Sequence, residues 1–408
     1  MKKLLSKEEL ISFEEKISRL YKEAKIMAPV HLSKNNEEEL ISIFKYVKED
    51  DWIFSSYRNH YHALLKGIPA ERLEKDIIDG HSMHIMNKEH KFYSSSIVPG
   101  HLPVALGVAL ALKLKKSSNH VWAFCGDMAS ETGVFHEVTK YAEGHNLPIT
   151  FIVESDGLGV YTPTKKVWGI EDFNEFQMNK QSVNPMGPKN LEESIKSGAK
   201  ILKYSYKRGW PHHGIGLWVE IPEEEKLKKE KIGNLSYQDE LGRAMKFLAE
   251  DNKTIFIGQT VGYKGSAIYG TLEEIAQEKR IELPIIEEVQ MGISIGLSLE
   301  GYTPVSIYPR FDFFILATNQ LVNHLDKIRE LSQGEFNPKV IIRTAIGSKF
   351  PYYPGVQHCQ DHTEAYKKML TNIEVIKLKN SQEIIPAYKR ALENKSSTML
   401  IELSDKYN

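Results

Sequence analysis

The sequence predicts an α/β protein made of two doubly wound, mainly parallel sheets, and three observations carry that reading. Apolar runs of strand length alternate with longer stretches of helical periodicity, which is how strands and the helices that cross back over their sheet are written. This alternation occurs twice along the chain. Between the two halves stands EEEKLKKEK, a charged run of the kind that forms a solvated linker or helix face. A length of 408 residues accommodates two to three domains at roughly 150 residues each. With 41% hydrophobic residues there is material for more than one core.

Taken in order, the first 50 or so residues contain EELISFEEKISRLYKEAK and EEELISIFKYVKED, both polar on one face and apolar on the other, hence helices. PVALGVALALKLKK is apolar on all sides and reads as a buried helix, far short of the roughly 20 residues that cross a bilayer. Strand HVWAFCG, helix SETGVFHEVTKYAEGH and strand PITFIVES follow, a β-α-β unit. LWVEIP closes the first half as a strand. The second half runs helix YQDELGRAMKFLAED, strand TIFIGQ, helix TLEEIAQEK, helix MGISIGLSLEG, strand PVSIY, helix LATNQLVNHLDKIREL, strand KVIIRTA, helix DHTEAYKKML, strand IEVIKL, helix QEIIPAYKRALEN and strand TMLIEL. The domains are therefore expected at 1–225 and 233–408, joined by a linker at 222–232. No tandem repeat or low-complexity tract interrupts them.

Composition excludes several functions. The net charge is −1 with a sequence pI near 7.0, so no global field favours nucleic acid or an anionic membrane, and a bound phosphate must be held by local geometry. Two cysteines, Cys125 and Cys359, argue against a disulfide framework or a multi-cysteine metal centre and are expected as free thiols. The N-terminus has no apolar core of signal-peptide length, so a cytoplasmic location is expected.

The residues that suggest chemistry lie at strand ends. Asp127 follows strand HVWAFCG and Asp156 follows strand PITFIVES, so two oxygen ligands converge where ligands of parallel sheets bind. Magnesium is usually held by one or two carboxylates together with substrate phosphates. The competing reading is that Asp127 caps a helix over Ala129–Ala142 and that Asp156-Gly157 forms a turn.

GDMASETGVFHEVTKYAEGHNLPITFIVESDGLGVYT resembles the thiamin-diphosphate motif of the α subunit of 2-oxo-acid dehydrogenases, the decarboxylating component of pyruvate dehydrogenase-type complexes. Upstream, HLSKNNEE, YRNHYHALLKG, GHSMH and SIVPGHLPVALGVALALK resemble that family's HLxxGQE, YRxHGHxLxxG, GGSMH and GIVGAQxPLGAGIALA blocks in the same order. In the second half LPIIEEVQMGISIGLSLEGYTPV, RFDFFILATNQLVNHLDKI and PGVQHCQDHTEAY are similar to β-subunit blocks, the last also to a transketolase segment. The chain thus resembles a fusion of α-like and β-like halves, diphosphate-binding and pyrimidine-binding, without the third C-terminal domain of transketolases. That absence leads us to expect no docking to an acyltransferase core.

The resemblance implies a thiamin diphosphate site with Mg²⁺ or a similar cation. Asp127, Asp156 and the carbonyl of Leu158 would hold the cation. Tyr57 and Arg58 would contact the diphosphate, flanked by Gly126, Met128 and Ala129. Val98 would meet the aminopyrimidine through its backbone, Phe311 would pack on the ring, and His84 would lie beside the cofactor. Glu287 would keep the pyrimidine N1′ protonated, a task suited to a buried carboxylic acid because desolvation disfavours the carboxylate. Glu288 competes for that role, since alternating side chains put only one of the two inward. His358 would hydrogen-bond the substrate carbonyl, with His362 as its rival, and His212-His213 reads as part of a substrate loop.

Two departures stand out. Met128 replaces the second glycine of the family's GDG, and Asp156 replaces its usual Asn, a substitution expected to be tolerable only with a divalent cation bound. The implied activity is 2-oxo-acid decarboxylation with release or transfer of the acyl or aldehyde unit. The alternatives are transketolase-like ketol transfer between sugar phosphates and a degenerate scaffold. The expected partners are a 2-oxo acid or ketose phosphate and a second copy of the chain, as a homodimer or higher homo-oligomer, with no nucleic acid and no membrane.

Overall fold

The computed structural model describes residues 4–160, 162–169, 187–211, 236–263, 267–349 and 353–407. The chain divides into two compact units, Met1–Ile221 and Pro222–Asn408. Each is built on a sheet with six strands among the described residues, and the α/β class with parallel sheets is borne out. The linker and strand LWVEIP lie outside the described residues.

In the first unit the strands are β1 (Trp52–Ser55), β2 (Met86–Asn87), β3 (Phe92–Ser94), β4 (Val121–Gly126), β5 (Ile149–Ser155) and, after a two-strand ladder of β6 (Leu158–Gly159) with β7 (Thr162–Pro163), β8 (Ile201–Ser205). Their order is β2-β3-β1-β4-β5-β8, with only the β2–β3 pair antiparallel. β4 and β5 are buried nearly throughout because helices cover both faces, which is why they read as unbroken apolar runs. Phe54, Ala123, Cys125, Phe151 and Val153 pack with Ala105, Ala109, Phe135 and Val138 from the helices His101–Leu114 and Gly133–Gly144.

The helix expected to be wholly buried is only half so. In His101–Leu114 the residues His101, Leu102, Ala105, Ala109 and Leu112 are buried, while Val104 and Leu114 are exposed. One face packs on β4 and the helix Gly133–Gly144; the opposite face is apolar without cover in a single chain.

The second unit orders its strands β10-β9-β11-β12-β14-β13, all parallel. These are β9 (Thr254–Gly258), β10 (Arg280–Glu282), β11 (Thr303–Tyr308), β12 (Ile341–Ile346), β13 (Glu374–Lys377) and β14 (Thr398–Leu403). Ser236 and Asp239 form a reciprocal cap on the first helix of this unit, Tyr237–Glu250, which fixes where it starts.

Two expected helices are corrected. Thr271–Lys279 is a run of turns ending in the 3-10 turn Gln277–Lys279, which passes directly into the edge strand β10 at Arg280. Thr271 Oγ1 donates to the Ile268 carbonyl at 2.7 Å, and Leu272 and Ile275 are buried at a spacing that suits turns equally well. The single helix expected over Leu316–Leu331 is broken into 3-10, π and α segments, Ile315–Ala317, Gln320–Leu325 and Ile328–Leu331. At the second break Asp326 is turned inward to accept the amides of Thr371 at 3.1 Å and Asn372 at 2.8 Å. Among the described residues no helix is long and apolar enough to cross a membrane.

Candidate cofactor site

Strand order directs attention to one place in the first sheet. After β1 the chain adds β3 on one side and then β4 on the other, so the order reverses between β1 and β4. A crevice opens beyond the carboxyl ends of strands at such a switch point. Tyr57-Arg58 follow β1 there, Asp127 follows β4, and Asp156 follows β5, whose Glu154 pairs with Gly126 in register.

The Asp127 carboxylate is buried, and its oxygens accept four hydrogen bonds. Oδ2 accepts from the Gly157 amide at 3.0 Å and from the hydroxyls of Ser155 and Thr164, both at 3.3 Å; Oδ1 accepts the Met128 amide at 3.0 Å. Burial first, and the nearby Asp156 charge second, push this carboxyl up to about 7. Gly157, at a φ of 75°, makes the sharp turn that returns the chain over Asp127. The capping alternative fails: Thr132 caps the helix Gly133–Gly144, accepting the Phe135 amide at 3.2 Å.

Asp156 is not left to a metal for its charge, which corrects the sequence expectation. Arg208 Nη1 donates to Asp156 Oδ2 at 2.8 Å, and these side chains are only 7% and 9% exposed. The Leu158 amide occupies Oδ1 at 3.0 Å. Met128 lies across the turn so tightly that a Cβ on Gly159 would fall 2.2 Å from its terminal methyl. Ala129 beside it is part of the core.

Arg58 is buried and donates to the Leu32 carbonyl, with its guanidinium 5.9 Å from the Tyr57 ring centroid. His31 also packs on Tyr57, at 4.5 Å between ring centroids. Burial raises the Tyr57 phenol and the Arg58 charge opposes the rise; Asp156, Arg208 and Asp127 act on it more weakly. The four sequence-selected residues Tyr57, Arg58, Asp127 and Asp156 thus share one electrostatic neighbourhood. His84 hydrogen-bonds the Ser96 hydroxyl at 2.8 Å, and burial pushes its imidazole down to about 4, so it is neutral at pH 7. Val98 is half-buried and packs against the first core.

The segment bearing Arg208 is tied to a buried acid. Trp210 Nε1 donates to Glu14 Oε2 at 3.1 Å, and the Ser33 amide to Glu14 Oε1 at 2.6 Å. Burial pushes Glu14 up to about 8. A carboxyl with a raised value in the folded chain favours folding fully below its ordinary range near 4.5, and that contribution is lost as pH rises through about 8. Glu14→Gln should therefore flatten the fall in thermal midpoint between about pH 5 and about pH 8; parallel curves for the two proteins would refute this.

The second unit has its own switch point, between β9 and β11. Glu287 opens the helix Glu287–Leu299 and is 5% exposed. Its Oε1 accepts from Gln259 Nε2, just beyond β9, at 3.3 Å, and burial pushes it up to about 7. Glu288 is exposed and accepts from Asn319 Nδ2 at 2.7 Å. The pair stands in a helical first turn, not a strand, and the helix phase separates the two carboxyls.

Phe311 does not offer a ring face to a ligand. It is fully enclosed by Tyr366 at 5.4 Å, His362 at 5.4 Å and Phe314 at 6.2 Å, so it is a core residue. Phe313, two positions on and half-buried, meets the His358 ring edge-on at 5.3 Å. The carbonyl of His358 accepts from Arg310 Nη1 at 3.4 Å. His362 lies 4.0 Å from Asp312 and packs on Phe311. His212 and His213 lie outside the described residues. Sequence reasoning missed Arg208, Thr164 and Gln259; only the substrate-loop reading of His212-His213, four and five residues on, pointed toward Arg208.

Residues 7–186 match the family described as dehydrogenase E1 component, and the resemblance read from the motifs is borne out over that stretch. The α subunit of the acetoin:2,6-dichlorophenolindophenol oxidoreductase of Bacillus subtilis is 31% identical over 165 residues, 38% of this chain and 50% of the relative. The chloroplastic pyruvate dehydrogenase E1 component subunit alpha-3 of Arabidopsis thaliana is 32% identical over 161 residues, 36% of this chain and 38% of the relative. The pyruvate dehydrogenase E1 component subunit alpha of Rickettsia typhi is 24% identical over 310 residues, 70% of this chain and 86% of the relative. The chain thus spans half or less of the length of the first two relatives.

Proposed function

We propose, from the match over residues 7–186, that the chain binds thiamin diphosphate with Mg²⁺ or a similar divalent cation and decarboxylates a 2-oxo acid, releasing or transferring the acyl or aldehyde unit. The observation that carries this reading is the buried Asp127 carboxylate at a sheet switch point, with Asp156 beside it and Tyr57-Arg58 at the neighbouring strand end.

The donor set suits a hard dication. A buried carboxylate disfavoured by desolvation is relieved by a divalent charge, and Asp127, Asp156 and the Leu158 carbonyl are oxygen ligands of the kind magnesium takes. Arg58, with Tyr57, would hold diphosphate oxygens, where a planar guanidinium can reach two at once. Gly126, Met128 and Ala129 form the turn beneath. When bound, thiamin diphosphate supplies a nucleophilic carbon and an electron sink. Glu287 would hold a proton for the pyrimidine edge, Val98 would offer its backbone to the aminopyrimidine, and Phe313 would take the place of Phe311 as the aromatic contact. His84, as a neutral imidazole, and His358 would hydrogen-bond the substrate.

A homo-oligomer is part of this reading. The exposed apolar faces at Val104 and Leu114 in the first unit, and at Val289 and Ile293 in the second, support it. The test begins with calorimetry. Thiamin diphosphate should bind only with the divalent cation, and Asp127→Asn should weaken binding by more than about tenfold, since a buried charge–cation contact exceeds about 1.4 kcal/mol. Metal-independent binding sinks the proposal. Incubation with a panel of 2-oxo acids and ketose phosphates, followed for CO₂ and for a trapped thiamin adduct by mass spectrometry, then reads the reaction. Turnover of ketose phosphates alone would replace decarboxylation by ketol transfer.

A further inference from the structure

The carboxyl ends of β4 and β5 bring together two buried carboxylates, and β8 delivers one buried guanidinium to them. The delivery is built into the fold. β8 pairs with β5 in register up to Ser155 and Ser205, and the Tyr206 amide extends the pairing to the Ser155 carbonyl at 3.0 Å. Three further anchors hold the segment against residues 34–35 and Glu14. Asn35 Nδ2 donates to the Lys207 carbonyl at 2.9 Å, the Gly209 amide lies 3.2 Å from the Lys34 carbonyl, and Trp210 is bonded to Glu14. A Cβ on Gly209 would stand 2.9 Å from Lys34 side-chain carbons, so only glycine permits this approach. Arg208 itself is fixed by three contacts: Nη1 to Asp156, Nε to the Trp210 carbonyl at 3.0 Å, and Nη2 to the Val160 carbonyl at 3.4 Å.

We propose that Arg208 is a positioning residue for the cofactor site: by neutralising Asp156 it makes the Asp156–Arg208 pair the equivalent of a neutral amide, leaving Asp127 as the uncompensated charge that draws the cation. This rests on the cofactor reading above. The charge count gives the pair a signature that simple structural support lacks. At the metal position Asp127, Asp156 and Arg208 leave a single negative charge, with Arg58 set at the neighbouring strand end for the diphosphate, which suits a dication carrying that group. Without the guanidinium the site has a surplus negative charge that favours the bare cation and repels the diphosphate. Without the Asp156 charge the site is neutral, and the unpaired guanidinium repels the cation.

The test is a double-mutant cycle on the full chain, read by calorimetry with Mg²⁺ alone and with thiamin diphosphate at saturating Mg²⁺. Arg208→Gln should bind Mg²⁺ about tenfold more tightly and thiamin diphosphate about tenfold more weakly, and Asp156→Asn should bind Mg²⁺ about tenfold more weakly. The double variant should return both affinities to within about threefold of the wild type, since the charges removed are equal and opposite. Single variants that shift in the same sense, or losses that add in the double variant, overturn the inference. If Arg208→Gln does not fold, Arg208→Lys decides. It keeps the charge and drops the carbonyl contacts, so retained affinities support the pairing and tenfold losses overturn it. A wild-type chain that binds no thiamin diphosphate overturns the cofactor reading and the pairing together; a wild-type chain that binds it while both single variants lose Mg²⁺ affinity overturns the pairing alone.

Discussion

Glu287→Gln is expected to slow exchange of the C2 proton of bound thiamin diphosphate by a factor of about 10²–10⁴, the usual contribution of a positioned proton donor, while the cofactor stays bound. The carboxyl is suited to the task by where the helix Glu287–Leu299 begins. Burial raises it to about 7, its own backbone amide and Gln259 pull in the other direction without winning, and the protonated form therefore persists close to neutrality. The sign follows. The acid form is complete below the ordinary carboxyl range and declines as pH rises through about 7, so wild-type exchange assisted by this proton should fall above that point. Glu288→Gln is the control. Its side chain is exposed and bonded to Asn319, so exchange should stay within about twofold of the wild type, the scale of a surface substitution. Deuterium exchange into the thiazolium, quenched and read by proton NMR, measures both. An unchanged rate in the Glu287 variant removes this residue from the site, and a loss confined to the Glu288 variant transfers the role to its neighbour.

The parts of this arrangement legible in the sequence are those governed by local chemistry. β4, β5, β12 and β14 are buried on both faces, so their sequences are unbroken apolar runs and the parallel sheets follow. Asp127 and Asp156 stand where such runs stop, and strand ends can be read with confidence in order if not in partner. The partner is what sequence withholds. Arg208 reaches Asp156 across 52 residues, through the pairing of β8 with β5, and no spacing rule connects them. Phe311 and Phe313 lie within one helical turn, and only the packing of Tyr366 and Phe314 decides which ring is enclosed. The same phase argument separates Glu287 from Glu288, where strand alternation was the wrong geometry. Thr271–Lys279 has helical composition, yet the edge strand that follows it takes precedence over propensity.

Arg343→Leu is expected to accelerate hydrogen exchange of the β12 and β14 amides by a factor of about 10²–10⁴, because it strands a buried carboxylate at a cost of about 3–5 kcal/mol. β12 and β14 are central and adjacent, and Arg343 and Glu402 are both completely buried between them and the covering helices. The contact is a two-point fork, Nε to Oε1 at 2.7 Å and Nη2 to Oε2 at 3.0 Å, and the hydroxyls of Tyr388 and Tyr407 also donate to the same carboxylate. Four donors on one carboxylate make it an element of the core that tolerates no missing partner. Burial of both charges costs heavily in its own right, so the pair is a weaker source of stability than its geometry suggests. Removing both charges, as Arg343→Met with Glu402→Leu, should consequently recover more than half of the loss in the single variant, short of full recovery because the two tyrosine hydroxyls then lose their acceptor. Exchange is the right measurement because two units in one chain need not unfold in a single step. Acceleration below about tenfold in Arg343→Leu would mean that water reaches Glu402 when its partner is removed, and that the second unit's core is not sealed at its central strands.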